Sequence, residues 1–437
     1  MNKIERFVYN LVRKNPLLKN QIRNIYQSIF DLFPLGPTQS SYPIVARAGY
    51  FYGFHDHSPF SHDNSKLLAN KAEFDLRMPK LGDALTVGFF EGKDHQNFIK
   101  LAETNTWCWH MGCKLQWLGQ TNKVIFNDHI GGKNVSRIID VETKKERVLE
   151  SAIGSVSPDG LWAVGYSFAR IQRCMPGYGY IQDVEELGVD DTVPEDGIYR
   201  VDIDTGLKTD ILSLKDLVKT KPESSMENMK HYVTHTIISP DSRRFIFLHR
   251  WIDPKGPVDK RISRLVVADF DGNIVDIFNT DGMVSHIGWQ DPNHAVAYCR
   301  VPQFDDKFVV FEVGKSDLSS IIGNTTLTSD GHPSFDPSGK WLVIDSYPDR
   351  RRIQNLIIFN TESKKKYEVA KLPQPKEFQS PSHYKHWGCD LHPRWDRKSE
   401  MVCFDATFSG VRSLCTMNFG SDILSHKLKY LTITVEP

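Results

Sequence analysis

Gly331-His332-Pro333-Ser334-Phe335-Asp336-Pro337-Ser338-Gly339-Lys340-Trp341-Leu342-Val343-Ile344-Asp345 is the stretch on which the fold turns. A histidine opens a short apolar segment, a tight Asp-Pro-Ser-Gly turn follows, and a β-rich run returns from it, which is the pattern of a hairpin. The same stamp recurs. Ser157-Pro158-Asp159-Gly160 leads into Leu161-Trp162-Ala163-Val164, and Ser239-Pro240-Asp241-Ser242 leads into Phe245-Ile246-Phe247-Leu248. Looser copies begin at Phe60, Trp117, Trp289 and Trp395. Aligned on the turn, the seven copies have anchors at 62, 119, 158, 240, 292, 337 and 397, with spacings of 57, 39, 82, 52, 45 and 60 residues. Periods near these are those of propeller blades. The expected fold is all-β, a seven-bladed β-propeller over residues 42–437. The spacing of 82 holds a non-repetitive insertion, Ala169 to Gly197, which reads as a functional loop, with plain surface decoration as the alternative.

The chain of 437 residues is 40% hydrophobic and 11% aromatic, enough for a large core, and the repeat argues for one closed domain. With 54 basic and 54 acidic side chains the net charge is zero, so no nucleic-acid partner is expected and any anion binding must be local. Seven scattered cysteines without a C-x-x-C pair suit a reducing, cytoplasmic setting.

Residues 1–34 have the spacing of two amphipathic helices separated near Pro16, with a net charge of +4 from six basic and two acidic side chains. Such an arm suits an anionic membrane surface, the propeller wall or a second subunit. Charges interrupt each apolar run before it reaches signal-peptide length, and no stretch is long enough to span a membrane. Residues 35–41 read as a linker. Tyr42 to Ala48 is a candidate to supply a strand to the last blade and close the ring, with Tyr430 to Val435 as the alternative.

Five residues before the aligned turn stand His57, His235, His332 and His392, joined by His286 if blade five carries one extra residue; Lys114 and Ile153 hold the position in the remaining blades. Innermost strands line the channel of a propeller, so this register predicts a ring of imidazoles aimed at the axis. They either tie strand ends together or hold one divalent metal, manganese, calcium or zinc, with His332 and His392 the first pair, His235 third and His286 fourth.

A second cluster lies on the loops. Trp107, Trp109 and His110 open blade two, and His129 ends its next strand. The insertion adds Arg170, Arg173, Tyr178 and Tyr180. Tyr178, Trp107 and Trp109 are candidate sugar platforms, unless the indoles pack between blades, and Arg170 a carboxylate partner. His, Tyr and Arg are also the groups that β-elimination from a uronic acid needs: neutralisation of the carboxylate, removal of the C5 proton, and protonation of the leaving oxygen.

The stamps His332-Pro333-x-Phe335-Asp336-Pro337-Ser338-Gly339-Lys340 and His392-Pro393-Arg394-Trp395-Asp396 resemble those of oligogalacturonate lyases and TolB-type propellers. Trp107-x-Trp109-His110 with Arg173-x-x-Pro176-Gly177-Tyr178-Gly179-Tyr180 looks like the seven-bladed ulvan-lyase type of polysaccharide lyase. The similarity covers roughly residues 50–419. The first resemblance implies a metal on His235, His332 and His392; the second implies catalysis by His110, with His129, Tyr180 and Arg173. The expected activity is therefore cleavage of an acidic oligo- or polysaccharide by a lyase, inside the cell or in a surface-polysaccharide pathway. A non-catalytic propeller that binds a glycan or protein is the alternative. Glycoside hydrolysis would require two facing carboxylates, which the sequence does not bring together.

Overall fold

The computed structural model describes residues 33–74, 76–182, 193, 196–302, 306–315 and 319–436. The predicted amphipathic arm falls almost wholly outside them. Seven antiparallel sheets, each with a four-stranded repeat unit, form the blades of the propeller. Blade one comprises Tyr50–Phe51, Leu67–Lys71, Leu85–Glu91 and Asn97–Thr104; blade two, Gln116–Trp117, Lys123–Ile130, Lys133–Asp140 and Glu146–Leu149. Blade three is Ser155–Val156, Trp162–Tyr166, Gly197–Asp202 and Lys208–Ser213; blade four, Lys230–Ile238, Arg244–Ile252, Ile262–Asp269 and Ile274–Ile277. Blade five is Val284–Asp291, His294–Cys299, Lys307–Glu312 and Ser319–Ile322; blade six, Ser334–Phe335, Trp341–Asp345, Ile353–Asn360 and Lys365–Pro373.

Blade seven joins the last repeat unit to a strand from the N-terminal side of the chain. Arg394–Trp395, Met401–Ala406 and Ser413–Asn418 are completed on the outside by Ile44–Ala48, so the N-terminal candidate closes the ring. The C-terminal strand Thr432–Val435 goes instead to the outer edge of blade six, end to end with Gln39–Ser40. Circular closure leaves no long inner edge unpaired.

The turn stamps work as their chemistry dictates. In blade six the Asp336 carboxylate accepts from the Trp341 backbone N–H at 2.9 Å, while the Gly339 N–H bonds the Asp336 carbonyl at 2.9 Å. Gly339 takes φ +71°, and a Cβ there would lie 2.7 Å from the Gln290 carbonyl of blade five, so the turn needs glycine for both conformation and close approach. Blades are stapled by indoles: the Nε1–H of Trp117, Trp289 and Trp395 donates to carbonyls of Pro59, Ile237 and Ser334 in the preceding blades. The wedges between sheets are filled by Val, Ile, Leu and Phe from the second and third strands. All seven cysteines are free and buried, as small core residues. Among the described residues no helix is long and apolar enough to cross a membrane.

The insertion after Trp162–Tyr166 starts with a helix, Phe168–Cys174, whose N-cap Ser167 accepts from the Arg170 N–H. It then turns at Pro176-Gly177 and lies against the start of blade four. The polar stretch after blade three forms a second helix, Leu214–Lys219.

Candidate functional site

The histidine register converges, with one substitution and one addition. Blade one contributes His55, two residues before the expected His57, because residues 52–57 cross the ring and bring Phe54 to its centre. The Phe54 ring contacts His55 at 4.4 Å, His235 at 4.8 Å, His392 at 5.0 Å, His332 at 6.1 Å and His286 at 6.5 Å between centroids. His57 sits instead beside Asp56, which is paired with Lys114. Lys114, His235 and His392 share a left-handed backbone, with φ of 56°, 58° and 44°, a strained conformation repeated at one register.

A benzene ring thus stands where an axial metal would, and the predicted set of His235, His332, His392 and His286 does not form a ligand cage. Each has a different task. His332 Nδ1 lies 2.9 Å from both oxygens of Asp345; burial works to lower the imidazole pKa, and the carboxylate more than reverses it, so His332 is held towards its protonated, donating form. His286 Nδ1 bonds Asp330 at 2.9 Å. His235 Nδ1 is buried without a hydrogen-bond partner, and burial, then the Arg250 charge, keeps the ring neutral.

The donor group that does assemble is off the axis: His110, Asp390 and His392, with one ligand atom from each within 4.8 Å of the others. His110 Nδ1 lies 3.9 Å from Asp390 Oδ2 and has no hydrogen-bond partner, while its Nε2 meets His386 Nδ1. When His110 Nε2–H donates to His386, the Nδ1 lone pair is the atom turned towards Asp390. Burial holds His110 and His392 well below the usual histidine pKa, leaving their lone pairs free for a cation. Asp390 is pushed up to about 6, by burial first, with the His332 charge opposing and the Asp345 carboxylate reinforcing it. A half-buried carboxyl and an imidazole nitrogen without a hydrogen-bond partner, facing each other, fit a divalent cation, and two nitrogens with one oxygen suit manganese or zinc better than calcium.

Tyr178 lies over this group, stacked on His110 at 4.6 Å and 14°, with the His386 ring 5.1 Å away. Gly177 makes the approach: a Cβ on it would be 2.5 Å from His386 Cβ. On the far side of the ring Tyr347 reaches His286 Nε2 at 3.5 Å. Burial holds both phenols above their usual range, as neutral proton donors.

The remaining predicted residues are distributed otherwise. Tyr180, expected to be catalytic, is fully buried against Phe168 at 4.3 Å, its hydroxyl accepting from Asn127 Nδ2 at 2.9 Å; alternation along the loop sends it to the core and Tyr178 to the site. Trp107 and Trp109 are core, 1% and 4% exposed, with Nε1–H groups donated to the Asp83 and Arg77 carbonyls, so they offer no face to a sugar. Arg170 is buried and donates to the His231 carbonyl at 2.6 Å. Arg173 occupies the last turn of its helix, half-buried. His129 meets Asn134 across its hairpin at 3.3 Å. His386 and Asp390, which the sequence reading missed, belong to the connection between blades six and seven. Its His-x-x-His-x-x-x-Asp-x-His run from 383 to 392 was the available signal. The opposite mouth of the channel is a cavity of about 710 Å³, lined by turn residues including His57, Trp289 and Asp336.

No family model matches the sequence, and no curated protein does. Solved structures do match in fold. An oligogalacturonate lyase in complex with manganese superposes with a TM-score of 0.59 at 15% identity, over 90% of this chain and all of the other. An oligogalacturonate lyase from Vibrio parahaemolyticus gives 0.54 at 15% identity, over 87% and 93%. TolB from Acinetobacter baumannii gives 0.41 at 15%, over 71% and 64%. The chain has the propeller fold of the two lyases.

Proposed function

We propose that this protein is a metal-dependent lyase that cleaves a uronate-containing glycan by β-elimination. One observation carries the reading: a His110, Asp390 and His392 donor group lies directly beneath a stacked, proton-bearing Tyr178 at one mouth of the channel. His110, Asp390 and His392 would hold the cation, manganese or zinc, which supplies a positive charge to the substrate carboxylate and so acidifies the C5 proton. His235 offers an unprotonated imidazole with a free Nδ1 within 6.0 Å of the Tyr178 ring, measured between centroids, and is the base. The C5–H electrons form the C4=C5 double bond, the C4–O pair leaves with the glycosidic oxygen, and the Tyr178 hydroxyl protonates it. Phe54 and the buried histidines exclude water from the floor, which keeps His235 neutral.

The test uses ultraviolet detection of unsaturated uronate. Tyr178→Phe should lower turnover by about 10²-fold or more with binding retained, the size of a lost general acid. His110→Ala should abolish turnover and lower the bound metal measured by mass spectrometry. Full activity in Tyr178→Phe would remove the tyrosine from the mechanism; unchanged metal in a His110→Ala, His392→Ala variant would remove the metal site.

A further inference from the structure

The outer wall of blade six carries an open apolar edge set among basic side chains. Among the described residues Thr432–Val435 pairs on its inner side alone, with Lys365–Pro373. Ile433 and Val435 share one face of this strand by alternation, and both are exposed, as are Leu424, Tyr430 and Leu431, which lead into it. At the other end of the same edge Gln39–Ser40 pairs with Lys371 and Ala370, and the chain reaches it through exposed Phe33 and Leu35. Seven of the 16 exposed large hydrophobic side chains among the described residues thus lie along one wall. Edge strands are normally blunted by charge, proline or a cover, and an apolar patch left open marks a contact surface.

The charge around the edge is predominantly positive. Residues 349–353, 362–377 and 421–436, which form the wall, hold ten basic and six acidic side chains, and residues 1–32, which precede Phe33, hold six and two. In a chain of zero net charge these stretches carry +8 and the rest −8. Several of the acids are spent locally: Glu368 is shared by Lys366 at 3.1 Å and Lys371 at 3.5 Å, and Asp349 accepts from the Arg351 and Ile353 backbone N–H groups. Arg351, Lys364 and Lys427 are exposed and pair with no carboxylate among the described residues. Beside Phe33 a groove of about 800 Å³ is lined by Leu35, Arg351, Lys371 and Lys376, with Glu377 as its acid. Charge selects the occupant of this wall. A second copy joined strand to strand would set the lysines at 364–366 of two chains side by side, and like charges oppose that pairing. An acidic glycan matches the lysines but has no counterpart for bare Leu, Ile and Val side chains. An anionic bilayer matches both, since its phosphates meet the basic groups while the apolar side chains enter the headgroup boundary.

We propose that the outer wall of blade six docks on the surface of an anionic phospholipid bilayer, with the basic N-terminal segment as its second anchor. Arg351 and the Tyr347 that reaches His286 belong to one connection, residues 346–352, so docking holds the site mouth beside the membrane and within reach of a glycan attached to it. The docking itself does not depend on the lyase reading.

The experiment is co-sedimentation of the full chain with vesicles of phosphatidylcholine alone or mixed with phosphatidylglycerol, at low and high salt, with guanidinium midpoints to show that each variant is folded. The wild type should bind the mixed vesicles at least about 10-fold more tightly than the neutral ones, and salt should weaken that binding. Arg351→Glu, Lys364→Glu and Lys427→Glu combined should lower it about 100-fold, at about 5-fold for each basic side chain. Leu431→Ser, Ile433→Ser and Val435→Ser combined should lower it at least about 10-fold. No preference for anionic vesicles overturns the proposal, as does unchanged binding in both folded variants, which would leave the N-terminal segment as the sole anchor. A wild-type dimer in sedimentation velocity that the serine variant turns into a monomer overturns it in favour of a second copy. Binding of soluble polygalacturonate at the wall, with none of vesicles, overturns it in favour of a glycan.

Discussion

Asp345 ties two blades to the site with one carboxylate. Its Oδ1 accepts from the His332 backbone N–H at 2.7 Å, its Oδ2 accepts from the His392 backbone N–H at 3.1 Å, and both oxygens face His332 Nδ1. Burial would raise the acid's pKa, but the His332 charge and these bonds outweigh it and hold it below the usual range. Asp405 does the same one blade on, accepting from the Tyr52 and Gly53 N–H groups, and Asn127 brackets Ile153 through both its side-chain atoms. The fifth residues of these second strands are thus clamps that set the register of the next blade's channel residue. Asp345→Ala leaves a buried imidazole and two N–H groups unpaired, and should cost about 3–5 kcal/mol in guanidinium unfolding. Asp345→Asn keeps an amide oxygen for one N–H group and should lose roughly half as much. Equal, small effects would mean that the packing around Phe54 holds the ring without the clamp.

At the scale of an element, the closing strand Ile44–Ala48 is doubly secured. It pairs with Ser413–Asn418 through Ile44↔Met417 to Ala48↔Ser413, and its buried Arg47 crosses to blade one, donating to the Asp94 carbonyl at 2.5 Å and the His95 carbonyl at 2.6 Å. Arg47 has no carboxylate in those bonds; carbonyls of two blades do the work. Arg47→Ala should therefore lower stability by about 3 kcal/mol, since it leaves the buried His95 carbonyl unsatisfied at the seam. By contrast Thr432–Val435 is exposed along its length on the outer edge of blade six, and shortening the chain after Tyr430 should change stability by no more than about 1 kcal/mol. If the two changes proved equal in chemical denaturation, closure would not be the seam that governs unfolding.

At the scale of the molecule, what was legible in the sequence is what repeats. The Ser-Pro-Asp-Gly turns and their β-rich returns marked all seven blades, because turn chemistry is local and recurs. The channel register was legible in four of its five histidines for the same reason. Phe54, His386 and Asp390 were not, because they come from blade connections with no period, and their positions depend on how a loop crosses a ring that exists only once closed. Burial was equally hidden: the pKa of ten of the 16 histidines is lowered, chiefly by desolvation, and only that of His332 is raised. The clearest of these lie away from the site. Arg264 Nε donates to His249 Nδ1 at 3.1 Å, His249 Nε2–H to His231 Nδ1 at 2.9 Å, and His231 Nε2–H to the Met226 carbonyl at 3.2 Å, a chain running in one direction with both rings neutral. A proton added to either Nδ1 would meet an N–H group. His231 is accordingly held down to about 4, by burial first and then by Arg170 and Arg264 against the Met226 carbonyl. The unfolded chain takes up protons from about pH 6.5 downward while the folded one refuses them, so stability falls with pH across that interval and levels off near the folded value of about 4. Guanidinium midpoints from pH 7.5 to 4.5 should decline for the wild type and decline less steeply for His231→Gln, which keeps an acceptor and a donor but does not titrate. Parallel slopes would place the acid sensitivity elsewhere and leave the relay as packing alone.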